Sequence, residues 1–187
     1  MFDAAFSYGS YEDELRQLIH LYKYAGIQTL ARPLGRLLIA ALPREARFDA
    51  IVPMPLHWMK AWRRGFNQSE LLAREVSRFW NVPVRKRLVR RVRATSVQAG
   101  LTSAERRVNV RNAFRAHTAV AGKRILLVDD VMTTGATGGA CAAALKSAGA
   151  AYVTFLTLAR VDRRPVAAVP HQTDTVFLPE SMVLGSQ

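Results

Sequence analysis

Hydrophobic positions along the chain follow two spacings, one typical of helices and one typical of buried strands. Apolar residues recur at helical spacing after a candidate capping box at residues 10–13, and again over residues 28–42. Short apolar runs bounded by Pro or Gly predict strands over residues 48–54, 125–128 and 152–159. Further helices are predicted over residues 67–79 and 138–148.

Strands therefore alternate with helices from residue 48 onward. This order predicts an α/β fold, a doubly wound and mostly parallel sheet with a helical amino-terminal section. We expect a single domain, with residues 1–45 as the helical section, 46–160 as the core and 161–187 as a tail that holds a candidate edge strand at 173–178. Ligands of such sheets bind beyond the carboxyl ends of the strands, so the turns after residues 53 and 129 should open onto one crevice.

Composition limits the class of protein. Half of the 187 residues are hydrophobic, which is typical of a globular chain, and no apolar stretch approaches the roughly 18 residues of a membrane helix. The first residues carry an acid where a signal peptide would have its positive charge, so a cytoplasmic protein without a membrane partner is expected. The single cysteine, Cys141, excludes an internal disulfide and is expected to be a small buried residue.

Positive charge is concentrated in one part of the chain. The formal net charge is +13, from 27 Lys and Arg against 14 Asp and Glu. Residues 77–128 contain 13 of the basic residues and a single acid, Glu105. This span would attract polyanions, either phosphorylated small molecules or nucleic acid, and the alternative is a solvated basic face.

The most informative chemistry lies at the end of the strand predicted over residues 125–128. Two acids, Asp129 and Asp130, follow it, and a loop of small and hydroxyl residues comes next: Thr133, Thr134, Gly135, Ala136 and Thr137. Carboxylates can hold sugar hydroxyls, while loop N–H groups and Thr hydroxyls can hold a phosphate. The pattern predicts a sugar-phosphate site, and the alternative is a strand, turn and helix with two acidic capping residues.

A second group of candidate residues follows the strand predicted over residues 48–54. The Pro-rich turn consists of Pro53, Met54, Pro55, Leu56 and His57. Arg63 and Arg64 come shortly after, and two guanidinium groups can clasp phosphate oxygens. The alternatives are a rigid loop that binds nothing and a structural role for His57.

The run over residues 125–137 resembles the phosphoribosyl-diphosphate (PRPP) signature of type I phosphoribosyltransferases. The motifs at residues 53–57, 64–68 and 93–98 join it in a set that resembles the ComF family over about residues 10–160. ComF proteins are phosphoribosyltransferase-like proteins associated in some bacteria with natural competence. Members commonly begin with a cysteine-rich zinc module, which this sequence does not contain.

The resemblance implies a sheet of the type I phosphoribosyltransferase kind and a role for each motif. Asp129 and Asp130 would bind the ribose hydroxyls at the catalytic centre, and the loop over residues 133–137 would hold the 5-phosphate. The turn from Pro53 to His57 would be the pyrophosphate loop, which shares Mg²⁺ with the ligand and supplies no direct metal ligand. Residues 93–111 would be the mobile loop that covers the site. The pyrophosphate or loop contacts would come from Arg63, Arg64, Gln98 and Arg106.

Two functions follow as hypotheses. The first is a Mg²⁺-dependent phosphoribosyltransferase, which transfers a pentosyl group from PRPP to an unknown base or amine in nucleoside metabolism. The second is a competence-associated protein that binds single-stranded DNA on its basic face without turnover, and a weaker third is a PRPP-sensing regulator. Candidate partners are PRPP or another ribose phosphate, nucleic acid through basic residues 78–124, and a second copy of the chain.

Overall fold

The computed structural model of the protein describes residues 2–56, 66–92 and 112–161. The elements in chain order are β1 (Ala4–Ser10), α1 (Asp13–Tyr24), a 3₁₀ turn (Gln28–Leu30), α2 (Ala31–Ala40), β2 (Ala50–Pro53), α3 (Gln68–Trp80), β3 (Val89–Arg91), β4 (Phe114–Ala116), a second 3₁₀ turn (Thr118–Val120), β5 (Arg124–Met132), α4 (Ala136–Ser147) and β6 (Tyr152–Arg160).

The centre of the molecule is a parallel sheet with the strand order β1–β6–β5–β2. The two longest strands, β5 and β6, pair from Arg124 with Tyr152 to Met132 with Arg160. Strand β2 pairs with the first half of β5 and stops at Pro53, opposite Val128. The second half of β5 therefore extends beyond the end of its neighbour. Strands β3 and β4 form a separate antiparallel ribbon.

The two faces of the sheet are covered differently. One face carries α1, α2 and α3, whose large side chains pack on Leu126, Val128 and Leu156. The other face carries α4 and the β3–β4 ribbon. Helix α4 lies very close to β6. A Cβ atom added to Gly138 would come within 2.4 Å of the ring of Phe155. Small residues on α4 thus permit an approach that larger ones would prevent.

The α/β class and the doubly wound parallel sheet are confirmed. The amino-terminal section is not wholly helical, however, because strand β1 (Ala4–Ser10) precedes α1 and pairs with β6. Its residues are mostly small or polar, so the sequence carries no strong strand signal, and the partner β6 supplies the pairing. The predicted capping box is also wrong, since Ser10 ends β1 and α1 has no side-chain cap. The candidate strand at 173–178, like all residues after 161, lies outside the described part of the chain.

Candidate functional site

The two acids, Asp129 and Asp130, lie inside β5 and not beyond its end. The strand runs on through Met132, and Asp129 pairs with Thr157 of β6. Consecutive residues of a strand point to opposite faces of the sheet. The two carboxylates consequently have different neighbours, which the sequence alone did not indicate.

Asp130 makes an ion pair with a residue of the first helix. The ammonium group of Lys23 lies 2.9 Å from Oδ1 of Asp130, and the two side chains are only 17% and 12% exposed. Burial works to lower the pKa of Lys23, but the attraction and hydrogen bond of Asp130, helped by Asp129, outweigh it, and the pKa is raised. Lys23 therefore carries a full positive charge beside the acid doublet.

Asp129 accepts hydrogen bonds instead of forming an ion pair. Its Oδ1 accepts from the hydroxyl of Ser69 at 2.8 Å and from the backbone N–H of Asp130 at 2.9 Å. Burial and the neighbouring Asp130 raise the pKa of Asp129 to about 7, although Ser69 and Lys23 act in the opposite direction. This carboxylate is the less well neutralised member of the pair.

The amino terminus of α3 connects the parts of the site. Asn67 caps the helix by accepting from the N–H of Ser69 at 3.0 Å, and its amide donates to the carbonyl of Met54 at 3.2 Å. The buried hydroxyl of Tyr22 donates to the carbonyl of Gln68 at 2.8 Å. The end of α1, the turn after β2 and the start of α3 are thereby held together.

The loop between β5 and α4 has the backbone form of an anion-binding turn. Gly135 has φ +69° and is the residue before α4, which begins at Ala136. The hydroxyl of Thr134 accepts from the N–H of Ala136 at 3.2 Å. The first N–H groups of a helix have no partner within it, and since that of Ala136 is taken by Thr134, those of Thr137 and Gly138 are the ones left for an acceptor. Thr133 and Thr137 flank this turn, the first exposed and the second partly exposed.

A cavity of about 870 Å³ opens beside this loop, between α4 and the β3–β4 ribbon. Thr134, Gly135 and Ala136 contribute to its wall, together with Phe114 and Arg115 of the ribbon. Neither Asp129 nor Asp130 is among the described residues that line it. The described surface thus presents the loop and the acid doublet on adjoining but separate sides.

The predicted pyrophosphate turn begins next to the acid doublet. Pro53 ends β2, and the N–H of Met54 donates to the carbonyl of Val128 at 2.8 Å. Met54 is buried, whereas Pro55 and Leu56 are partly exposed. The structure therefore brings this turn beside Asp129, as the strand pattern predicted. Five predicted site residues lie outside the described part of the chain: His57, Arg63, Arg64, Gln98 and Arg106.

Sequence reasoning missed three polar residues of the site: Lys23, Gln68 and Ser69. Lys23 is one of 27 basic residues, and its place at the end of α1 gave no signal for a pairing with β5. Ser69 lies in the capping sequence that was predicted to start α3, so a second role for its hydroxyl could have been considered. A further cation near the doublet is Arg91 of the ribbon. It is half-buried, and its guanidinium carbon lies 5.5 Å from the centre of the Phe114 ring. Burial lowers the pKa of Arg91, while attraction to Asp129 acts against that shift.

The described residues set limits on other kinds of site. Within residues 2–56, 66–92 and 112–161, no group of three or more His, Cys, Asp or Glu could hold a metal ion. No helix in the same ranges is long and apolar enough to cross a membrane. Cys141 is buried as predicted, and burial raises the pKa of its thiol.

Comparison with known proteins bears on the motifs and the fold together. Residues 63–183 match the model of the phosphoribosyl transferase domain. Competence protein F of Haemophilus influenzae is 35% identical over 161 residues, which cover 81% of this chain and 70% of the relative. DNA utilization protein YhgH of Escherichia coli strain K12 is 38% identical over 156 residues, which cover 80% and 69% of the two chains. Among solved structures, glutamine PRPP amidotransferase from B. subtilis has a TM-score of 0.48 at 22% identity and covers 68% of this chain and 26% of its own.

The chain belongs to the phosphoribosyl transferase domain family, in the ComF group that its motifs predicted.

Proposed function

We propose that the protein binds PRPP and transfers its phosphoribosyl group to a base or amine, with release of pyrophosphate. The observation that carries the proposal is the acid doublet of β5 followed, three residues later, by the loop at the amino terminus of α4. It supports the proposal because carboxylates that can accept from hydroxyls and N–H groups that can bind an anion follow one another along one strand, loop and helix. A pentose phosphate offers both kinds of group.

In this proposal the protein contributes position and charge. Asp129 and Asp130 accept hydrogen bonds from the ribose 2- and 3-hydroxyls, while residues 133–137 hold the 5-phosphate. The C1–pyrophosphate bond breaks as the acceptor nitrogen attacks, and the leaving pyrophosphate takes the bonding electrons. Positive charge develops on the ribose in the transition state, so the neighbouring carboxylates stabilise it.

The donor set fits a magnesium ion that arrives with the diphosphate. Mg²⁺ usually keeps several waters and binds through few protein carboxylates plus substrate phosphates. When bound, Mg²⁺ would neutralise charge on the pyrophosphate oxygens.

Titration calorimetry with PRPP and Mg²⁺ tests the proposal. We expect binding by the native chain and, for a variant with both Asp129→Asn and Asp130→Asn, affinity lower by roughly 100-fold or more, since each carboxylate–hydroxyl bond stabilises by about 1.5–3 kcal/mol. Absence of binding at millimolar PRPP, or equal binding by the variant, would contradict it. Release of pyrophosphate in the presence of a mixture of bases and amines separates an enzyme from a PRPP-sensing regulator.

A second candidate function is binding of single-stranded DNA on the basic face without turnover. Arg90 and Arg115 lie directly opposite each other in the β3–β4 ribbon, and both are exposed. Like charges in such a cross-strand pair are destabilising unless an anion lies near them. The relatives named for competence and DNA utilization agree with a role connected with DNA.

Salt dependence distinguishes this function from PRPP binding. We expect the affinity for a labelled single strand to fall steeply with salt concentration, with a slope that becomes shallower by about 1.4 when Arg90→Gln and Arg115→Gln are combined. An affinity that is flat with salt, or a slope unchanged by the two substitutions, would exclude binding at the ribbon.

A further inference from the structure

Lys23 has more hydrogen-bonding capacity than its ion pair uses. An ammonium group has three N–H donors. One is directed at Asp130 at 2.9 Å, and within residues 2–56, 66–92 and 112–161 the ammonium makes no second ion pair, although Asp129 and Tyr11 are close enough to act on its charge. The side chain is largely buried but retains an exposed edge. A cation with spare donors beside a proposed ligand site is equipped to bind an anion.

The position of Lys23 indicates which end of the ligand it would meet. Helix α1 packs on the face of the sheet that carries α2 and α3, whereas α4 and its loop lie on the opposite face. The start of α3 links the end of α1 to the turn after β2, through Gln68 and through the bond from Asn67 to Met54. Lys23 is therefore on the side of the Pro53 turn and away from the 5-phosphate loop.

We propose that Lys23 binds the phosphate on C1 of the ligand and exchanges partners when the ligand enters. In the free protein the ammonium neutralises Asp130. In the complex a ribose hydroxyl takes over the Asp130 oxygen, and the ammonium turns to a diphosphate oxygen. This inference rests on the proposed PRPP binding and adds to it a diphosphate contact from the first helix.

The exchange leaves neither group without a hydrogen-bond partner. Breaking a buried ion pair by removing one member is costly because the other charge remains unneutralised. Here each member gains a new partner from the same ligand, the carboxylate a hydroxyl and the ammonium a phosphate. A ligand that carries ribose but no C1 phosphate offers only half of the exchange.

A comparison of two ligands, one with and one without the C1 diphosphate, tests the contact between Lys23 and the diphosphate. Calorimetry measures the dissociation constants for PRPP with Mg²⁺ and for ribose 5-phosphate, in the native chain and in Lys23→Gln. We expect Lys23→Gln to weaken PRPP binding by roughly 10- to 100-fold, the value of a lost charge-assisted bond, and to change ribose 5-phosphate binding by less than about threefold. Lys23→Arg keeps the charge and should retain most of the PRPP affinity.

The ratio of the dissociation constants for PRPP and ribose 5-phosphate decides whether Lys23 contacts the diphosphate. An equal loss for both ligands would show that Lys23 acts only through Asp130, and an unchanged ratio with unchanged affinities would show that it contacts neither ligand; either result overturns the inference. If the native chain binds neither ligand, the proposed function itself fails. Should Lys23→Gln fold poorly, the same ratio is compared between Asp130→Asn and the Lys23→Gln/Asp130→Asn double variant, in which no carboxylate is left unpaired.

Arg74→Gln is the matched control. It removes a cation from an ion pair of 2.7 Å with Glu70 on the exposed side of α3. We expect no change in either dissociation constant. A loss of PRPP affinity in this variant comparable to that in Lys23→Gln would attribute the effect to net charge and would overturn the inference.

Discussion

The surroundings of Asp129 and those of Asp130 differ, although the two residues are adjacent and identical. Asp130 meets the cation of Lys23, which arrives from α1. Asp129 meets a hydroxyl from α3 and a backbone N–H, and burial keeps its pKa high. In the free protein the charge of Asp130 is therefore neutralised by Lys23, whereas ionisation of Asp129 is unfavourable.

The difference shows how a strand can give two roles to one motif. Alternation points the two side chains in different directions, and they meet different helices of one layer, Asp130 the end of α1 and Asp129 the start of α3. The carboxylate that is paired supports the free structure, whereas the unpaired one gains most from a ligand that donates hydrogen bonds. Four substitutions test this comparison.

Asp130→Asn should have the largest effect on folding. It leaves the ammonium of Lys23 largely buried without its counter-charge, so we expect a loss of about 2–4 kcal/mol in the free energy of unfolding. Urea denaturation measures it. A double variant with Lys23→Met as well should recover most of the loss, and failure to recover would show that the ion pair is not the cause.

Asp129→Asn should raise the free energy of unfolding, whereas Asp130→Asn lowers it. The folded state raises the pKa of Asp129 to about 7, so between about pH 4 and that value the folded protein binds this proton more tightly and stability falls as pH rises. At pH 8 the substitution should stabilise the free protein by on the order of 1–3 kcal/mol, and the gain should shrink toward pH 4. Melting temperatures across this range check it; destabilisation at pH 8 would contradict the assignment.

Ser69→Ala should have a smaller effect that depends on pH. The Ser69 hydroxyl lowers the pKa of Asp129, so its loss should cost about 1 kcal/mol at pH 8 and less at pH 5, where the carboxyl is protonated. Ser77→Ala is the control on the same helix, because its hydroxyl donates at 2.7 Å to a neutral carbonyl, that of Val82. Equal pH profiles for the two variants would argue against a charged acceptor at Ser69.

Arg74→Gln should have the smallest effect, within about 0.5 kcal/mol in urea denaturation. Its ion pair with Glu70 is exposed, and Glu70 keeps a second partner in Lys86 at 3.2 Å. The difference between the losses in unfolding free energy for Arg74→Gln and Asp130→Asn measures how much more a buried ion pair costs to break than an exposed one. If Arg74→Gln lowered the unfolding free energy as much as Asp130→Asn does, burial would not explain the effect of Asp130→Asn.

The sequence was sufficient for those features that depend on local pattern. The apolar run before Asp129 predicted β5, and the Gly and Thr residues predicted the turn into α4. The strand predicted over residues 48–54 is β2, which begins two residues later and ends one residue earlier, at Pro53. Parallel pairing then placed the two turns on neighbouring strands.

Features that depend on tertiary contact were not predictable from the same patterns. Strand β1 has little intrinsic strand preference and exists because β6 offers it an edge. The pairing of Lys23 with Asp130 joins residues 107 positions apart, and no local spacing encodes it. The length of β5 was also underestimated, because charged residues at its end suggested a turn where the pairing with β6 continues.

The β3–β4 ribbon has a consequence for how the chain can vary. The N–H of Val92 donates to the carbonyl of Ala113 at 2.8 Å, so these two residues are neighbours in space although they are 21 positions apart. Lengthening a connection whose ends are already fixed adds little closure entropy, about 0.6 kcal/mol for a doubling of its length. Segments of other lengths and sequences could therefore be grafted between these two residues while the central sheet keeps its register.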